Sequence, residues 1–98
     1  MMALNYEHIE TQGGGYISAL DGASQEIGKL TYSLDPDNNR MIITYVMVLP
    51  IHEGKGYGKK LVEKGIEFAR DKNYKILPHC SFARTVLLRM NDVEDVYP

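Results

Sequence analysis

The longest apolar stretch of the chain covers residues 41–49, is rich in β-branched residues and ends at Pro50. A run of this kind predicts a central strand that is covered on both faces. Two earlier segments, 16–20 and 26–34, also have strand character, and each is followed by a cluster of turn-forming residues. The first half of the chain therefore predicts three strands joined by tight turns.

A helical pattern begins after Gly58 and ends near Asn73. Its apolar residues share one stripe, and the charged residues between them face away; the stripe contains Leu61, Val62, Gly65, Ile66 and Ala69. Residues 74–77 predict a short strand stopped by Pro78, and Ser81 is a candidate cap for a second helix. The expected order is β-β-β-α-β-α, a mixed α+β or α/β fold. The first strands pair antiparallel, and the long helix crosses over to a parallel strand in a mixed sheet.

Length and composition predict one domain over residues 1–98. The chain has 98 residues and a net charge of −2, and its lysines cluster only locally around the long helix. That balance argues against a nucleic-acid partner. The sequence has one cysteine, Cys80, and no apolar run near the ~18 residues that a membrane helix needs. We therefore expect no membrane partner and a reducing, cytoplasmic setting.

The turn between the long apolar strand and the helix is the strongest chemical signal. It carries Gly54, Gly56 and Gly58, interleaved with Lys55 and Tyr57 and followed by Lys59. The first N–H groups of a helix have no partner within the helix, and the helix dipole adds partial positive charge at that end. Glycines allow the backbone to approach a phosphate closely. This arrangement predicts an anion-binding turn.

Several ligands compete for such a turn. A nucleoside triphosphate site needs Gly-Lys followed by Ser or Thr, whereas Lys55 is followed by Gly56 and Lys59 by Lys60. A dinucleotide site needs its third glycine one residue later and an acidic residue after the next strand, which ends at Leu77. The spacing fits the pyrophosphate of coenzyme A better. A tight turn that merely requires glycines remains the alternative.

Several segments in this order resemble the small, single-domain branch of the GNAT acetyltransferase superfamily. They are the stretch 27–32, the turn and helix start from Val48 to Leu61, the element Pro78-His79-Cys80-Ser81-Phe82-Ala83, and the tail 88–97. The resemblance covers about residues 15–97. It implies a GNAT-like fold in which acetyl-CoA or another acyl-CoA lies where two parallel strands splay apart.

The resemblance also implies positions for the cofactor. The pantetheine arm would pair with the strand around Val46, Met47 and Val48. The pyrophosphate would rest on the backbone amides of a continuous segment made of Glu53, Gly54, Lys55, Gly56, Tyr57, Gly58 and Lys59. The thioester carbonyl would accept a hydrogen bond from the N–H of Met47 or Val48. Two departures stand out, because the superfamily usually has Arg or Gln where Glu53 stands, and many larger relatives have a catalytic Glu near Met47.

Cys80 is the candidate catalytic residue. It precedes a predicted helix N-terminus, where a thiol can become reactive, and it follows the strand expected to border the cleft. It would either accept the acyl group or line the thioester pocket; a buried structural cysteine is the alternative. His79, His52 and Tyr45 are weaker candidates. Residue spacing offers no metal site, so we expect none.

The function expected from these features is acyl-CoA-dependent N-acetyl transfer to an unidentified amine, such as a protein lysine or an N-terminus. A lysine-like acceptor has a pKa of ~10.4, so its deprotonation at pH 7 costs about 4–5 kcal/mol. A base or a desolvating site must supply part of that cost. Met47 stands where many relatives have a catalytic acid, which leaves the base unidentified, and Glu53 would repel a pyrophosphate. A partner-dependent CoA-binding module without turnover therefore remains the alternative function.

Overall fold

The computed structural model describes residues 4–98 and contains five strands and two helices in that range. Their bounds are β1 Asn5–Thr11, β2 Gly14–Leu20, β3 Glu26–Asp35, β4 Arg40–Val48, α1 Tyr57–Asp71, β5 Lys75–Pro78 and α2 Ser81–Arg89. The expectation of one domain over residues 1–98 stays a prediction, and its first three residues lie outside this range.

The strands form one mixed sheet in the order β1-β2-β3-β4-β5. The first four strands pair antiparallel, whereas β4 and β5 pair parallel because α1 carries the chain from one end of the sheet back to the other. The mixed fold and the crossover predicted from the sequence are confirmed. From β2 onward the element order also matches the prediction.

Strand β1 was not predicted, so the order β-β-β-α-β-α lacked its first strand. Its sequence, NYEHIET, is mostly polar because β1 is an edge strand and most of its residues are exposed. Two side chains anchor it: Tyr6 packs against the core, and His8 Nε2 lies 2.6 Å from the Tyr32 hydroxyl. Burial raises the pKa of Tyr32 to about 12. The edge strand is therefore held by tertiary contacts rather than by an apolar pattern.

The core lies between the sheet and α1, whose apolar stripe is buried as predicted. Gly65 allows the helix to sit close to the sheet, because a Cβ there would meet the Leu30 side chain at 3.3 Å. On β4, Met41 and Ile43 are buried, but Tyr45 is 58% exposed. The prediction that this strand is covered on both faces is therefore wrong. A β-bulge at Thr44 interrupts the alternation of faces, and Val46 and Val48, not Tyr45, pack against the core beyond it.

Helix α2 begins at Ser81, with Cys80 in the N-cap position and no capping side chain. The predicted cap by Ser81 is wrong, because the hydroxyl lies one residue inside the helix. The N–H groups of His79 and Cys80 both donate to the carbonyl of Ile43, at 2.9 and 3.3 Å. These two bonds fix the entry of the chain into α2 directly beside β4.

The segment after α2 docks on the body of the protein. Val93 and Val96 are buried, and the carbonyl of Val96 accepts the N–H of Ile76 at 2.6 Å on the outer edge of β5. Arg70 Nε donates to Asp95 at 2.6 Å, and this hydrogen bond lowers the pKa of the Asp95 carboxyl. Within residues 4–98, neither helix has the length and apolar character needed to span a membrane.

Candidate functional site

Strands β4 and β5 separate halfway along β4. Their register runs from Arg40 opposite Lys75 to Ile43 opposite Pro78, and β5 ends there. From Tyr45 to Val48, β4 pairs with β3 on one side, and no strand among residues 4–98 pairs with it on the other. The backbone of this half-strand is therefore available to a ligand that lies along it.

The turn after β4 uses glycine conformations at two points. A 3-10 turn, Pro50–His52, leads into Gly54, and Gly56 occupies the N-cap position of α1. Their φ angles are +79° and +82°, in the region that residues with a Cβ rarely adopt. A Cβ at either position would meet no atom within 4 Å. Backbone conformation, and not crowding, requires glycine at both positions.

The same turn presents a row of unused hydrogen-bond donors. Among residues 4–98, no acceptor takes a hydrogen bond from the six backbone N–H groups of residues 54–59. The N–H of Glu53, which we had included in the predicted cradle, donates instead to the carbonyl of Pro50 at 3.2 Å. Three of the six groups open the 15-residue helix α1, where the helix dipole favours negative charge.

Gly58 serves a different purpose from the other two glycines. It lies inside α1, and a Cβ there would come within 2.7 Å of the Phe82 ring from α2. Because such a separation is too short for carbon atoms, Gly58 is what allows the ring to lie against the first turn of α1. This contact joins the two helices at the edge of the turn.

A cavity of about 600 Å³ lies between the free half of β4, the glycine turn and α2. This volume is within the ~300–1,000 Å³ range of small-molecule sites. Nine of the ten cofactor-binding residues predicted from the sequence line it, namely Val46, Met47, Val48, Glu53, Gly54, Gly56, Tyr57, Gly58 and Lys59. Lys55 is the exception. It is exposed and is not part of the wall.

Four further residues line the cavity. Tyr45 and His52 adjoin predicted residues and are weaker candidates in the sequence, whereas sequence reasoning missed Phe82 and Val86. Phe82 and Val86 belong to a helix more than twenty positions further along the chain. That helix reaches the cavity through the contact between Phe82 and Gly58 and through the hydrogen bonds of His79 and Cys80 to Ile43. No local pattern predicts these contacts.

The cavity has two chemically different ends. We call the part lined by His52, Glu53 and the start of α1 the turn end, and the part lined by Tyr45, Val46 and Met47 the strand end. The turn end contains the charged side chains and the free N–H groups. His52 also lies there, with its Nδ1 buried and unpartnered among residues 4–98 and its ring 6.2 Å from that of Tyr57.

Cys80 lies where β4 and β5 separate, because its N–H donates to Ile43 at 3.3 Å. Its side chain is half-buried and is not among the residues that line the cavity. The neighbouring His79 is exposed, and no hydrogen bond joins the two side chains within residues 4–98. The structure thus places Cys80 beside the strand end rather than in its wall. Residues 4–98 contain no cluster of three potential metal-binding His, Cys, Asp or Glu side chains.

Comparison with known families gives one match that covers most of the chain. The family described as GCN5-related N-acetyl-transferase matches residues 15–96. The solution structure of a GCN5-like protein from Staphylococcus aureus is 32% identical, with a TM-score of 0.70, and the match covers 94% of this chain and 87% of that protein. No curated protein sequence matches the chain.

Two more distant structures show the same fold. Tetrahymena GCN5 is 17% identical with a TM-score of 0.68, and the match covers 87% of this chain and 59% of that one. Escherichia coli YhbS, a GNAT family N-acetyltransferase solved in complex with CoA, is 20% identical with a TM-score of 0.58. That match covers 65% of this chain and 38% of YhbS, so the chain spans well under two thirds of both proteins.

Proposed function

This chain belongs to the GCN5-related N-acetyltransferase family, and from that premise we propose that it binds an acyl-CoA, acetyl-CoA above all, and transfers the acyl group to an amine. The observation that carries the proposal is the row of six unused N–H groups at residues 54–59, five of whose residues line one cavity with the free half of β4. A diphosphate is the ligand that such a row of donors suits best.

The turn end would hold the pyrophosphate. Backbone N–H groups that point at an anion form charge-assisted hydrogen bonds, and the dipole of α1 adds to their effect. Lys59 lines the same end and contributes a positive side chain.

The pantetheine arm would lie along β4. From Val48 back to Tyr45 the strand covers about 10 Å, at ~3.3 Å per residue, and its outer edge has no partner strand. The arm would place the thioester at the strand end, close to Cys80. The backbone N–H of Met47 or Val48 would then stabilise the negative charge that develops on the thioester carbonyl oxygen.

The transfer requires a neutral amine. Its nitrogen attacks the thioester carbonyl carbon, the carbon–sulfur bond breaks, CoA leaves as a thiol after gaining a proton, and the amine nitrogen loses one. Cys80 offers a two-step route: its thiolate takes the acyl group from CoA, and the amine then attacks the new thioester. In both routes the chain orients the thioester and polarises its carbonyl, and in the two-step route it also supplies the Cys80 nucleophile.

Titration of ¹⁵N-labelled protein with CoA tests the proposal. We expect the amide resonances of residues 54–59 and 45–48 to shift saturably, while those of the β1–β2 turn around Gly13 stay in place. Acetyl-CoA with a panel of amines and peptides should then yield acetylated product above the uncatalysed rate. If saturating CoA moved no resonance of residues 54–59, the proposed function would be wrong.

A CoA-binding module without turnover is the second candidate. One observation favours it: Glu53, a carboxylate, lines the turn end where a diphosphate would lie. Mass spectrometry after mixing with acetyl-CoA separates the two functions. An acetylated acceptor, or an acetyl group on Cys80, indicates an enzyme, whereas saturable binding of intact acetyl-CoA with every amine of the panel indicates a module. The cytoplasmic setting stays a prediction.

A further inference from the structure

The side chains at the strand end of the cavity are apolar apart from one hydroxyl. Tyr45, Val46 and Met47 come from β4, and Phe82 and Val86 of α2 line the same cavity, with the Phe82 ring against Gly58. Removing an ammonium group from water into such surroundings costs far more than removing a neutral amine. The strand end therefore favours the neutral form of any amine that reaches it.

The charged groups nearby do not provide a base at this end. Within the wall, His52, Glu53, Tyr57 and Lys59 belong to the turn end. On the sheet face beside Met47, Lys29 pairs with Glu26 at 3.7 Å, and Glu26 also accepts the Ser18 hydroxyl at 2.5 Å. At the junction of β5 and α2, His79 is exposed and Cys80 is half-buried, and both lie outside the wall. Glu63 of α1 and Arg89 of α2 line an adjoining cavity that shares Lys59, Phe82 and Val86 with this one, and neither lies in the strand-end wall. Among residues 4–98, the only titratable side chain in that wall is Tyr45.

An acceptor that binds at this end must therefore already be deprotonated in solution. At pH 7 about 15% of α-amines with a pKa near 7.8 are neutral, but only about 0.04% of lysine side chains with a pKa near 10.4. The ratio of the neutral fractions is about 300-fold. The strand end thus favours amines of low pKa over amines of high pKa, whatever contacts the rest of the acceptor makes.

We propose that the acceptor is a weakly basic primary amine, the α-amine of a peptide or protein N-terminus, and not a lysine side chain. The proposal rests on the proposed function and names its substrate class. Tyr45 is 58% exposed, so this part of the strand end is accessible from solvent, and an N-terminus would approach it there.

Two peptides of identical sequence test the proposal. One has a free α-amine and an acetylated lysine side chain, and the other has an acetylated α-amine and a free lysine. With saturating acetyl-CoA and the uncatalysed rate subtracted, we expect the first to react at least about 100-fold faster at pH 7. At pH 9.5 the preference should narrow to about tenfold, because the neutral fraction of lysine rises far more steeply.

A matched pair of variants sharpens the result. Tyr45→Glu places a carboxylate at the exposed mouth of the strand end, and Tyr45→Gln is its neutral control. We expect the glutamate variant to raise the rate of the lysine peptide at pH 7 by about tenfold over the glutamine variant, within the range for general-base catalysis. Equal rates for the two variants would contradict the proposal.

Three further outcomes would overturn it: a lysine peptide that reacts as fast as the α-amine peptide at pH 7, a preference that does not change with pH, or transfer to neither peptide. The CoA titration on the same sample distinguishes these failures from failure of the proposed function. If the amides of residues 54–59 shift but the peptide result is negative, only the acceptor class is wrong. If they do not shift, the acyl-CoA site itself is wrong.

Discussion

The turn end and the strand end of the cavity are built in opposite ways. The turn end is one stretch of the chain, residues 52–59 apart from Lys55, whose backbone conformation is set by two glycines with φ near +80°. The strand end brings together β4 and α2, which are far apart in the sequence. One end offers backbone donors to an anion, and the other offers an apolar wall to a thioester and an amine.

This difference separates two functions in one cavity. Affinity for CoA should depend on main-chain geometry at the turn end, where side chains modulate the binding only weakly. The rate of transfer and the choice of acceptor should depend on side chains at the strand end. Substitutions at the two ends are therefore expected to change different quantities, and the following predictions test that separation.

The largest expected effect is on the backbone of the turn end. Gly56→Val forces a β-branched residue into φ +82°, so the turn must rearrange and redirect its N–H groups. Loss of one or two charge-assisted hydrogen bonds corresponds to a decrease in CoA affinity of about 100-fold. Isothermal titration calorimetry with CoA measures this decrease in affinity.

Gly13→Val is the matched control for this experiment. Gly13 has the same φ, +82°, and the same open space around its Cβ, but it lies in the β1–β2 turn away from the cavity. We expect a similar drop in the midpoint of thermal unfolding for both variants and unchanged CoA affinity for Gly13→Val. A comparable loss of CoA affinity in both would mean that global destabilisation, and not the cradle, explains the result.

At the strand end, Cys80→Ser should change the rate of transfer and leave CoA binding almost unchanged. Serine is a far weaker nucleophile at neutral pH, so the two-step route through Cys80 would slow by at least about tenfold. The CoA dissociation constant should change less than about twofold, because the thiol lies outside the cavity wall. Acetyl transfer at the wild-type rate would show that Cys80 only packs beside the site.

The two ends also differ in how far the sequence predicted them. The glycines at 54 and 56 were identified correctly because a positive φ is a local requirement that the residue type reveals. Phe82 and Val86 were missed because their place in the wall depends on how α2 packs against α1. Strand β1 was missed for a related reason, since an exposed edge strand needs no apolar alternation.

The tail beyond α2 shows the same limit. The tail is acidic and contains two valines, and this composition does not indicate whether it packs on the domain or frays. It docks because Arg70, 25 positions earlier, hydrogen-bonds Asp95, and because Val96 pairs with the outer edge of β5. Local conformational needs are thus visible in a sequence, whereas a partner that is distant along the chain is not.

Gly58 lies where the two ends meet, and its replacement should give a moderate effect. In Gly58→Ala the new Cβ would be 2.7 Å from the Phe82 ring, so the exposed ring must swing away. We expect a loss of about 1–2 kcal/mol in the free energy of unfolding and a decrease in CoA affinity of about fivefold. Chemical denaturation and calorimetry measure the two quantities.

Phe82→Ala provides the rescue for Gly58→Ala. If crowding against the ring is the cause, the double variant should be no less stable than Phe82→Ala alone, and the double-mutant cycle should show a coupling of about 1 kcal/mol. Additive losses would instead mean that the backbone at position 58 itself requires glycine, as it does at positions 54 and 56.

The smallest expected effect has the opposite sign. Glu53 is the one carboxylate in the cavity wall, and Glu53→Gln removes its repulsion of a diphosphate. Because Glu53 is exposed, the gain is limited to about 1 kcal/mol, or about a three- to fivefold increase in CoA affinity at low salt. The gain should nearly vanish in ~0.5 M salt, where screening is strong.

Glu94→Gln, on the exposed tail, is the charge-matched control and should leave the affinity unchanged. An affinity that fell in Glu53→Gln would mean that this carboxylate accepts a hydrogen bond from the ligand, and the turn end would then select its ligand through a side chain after all.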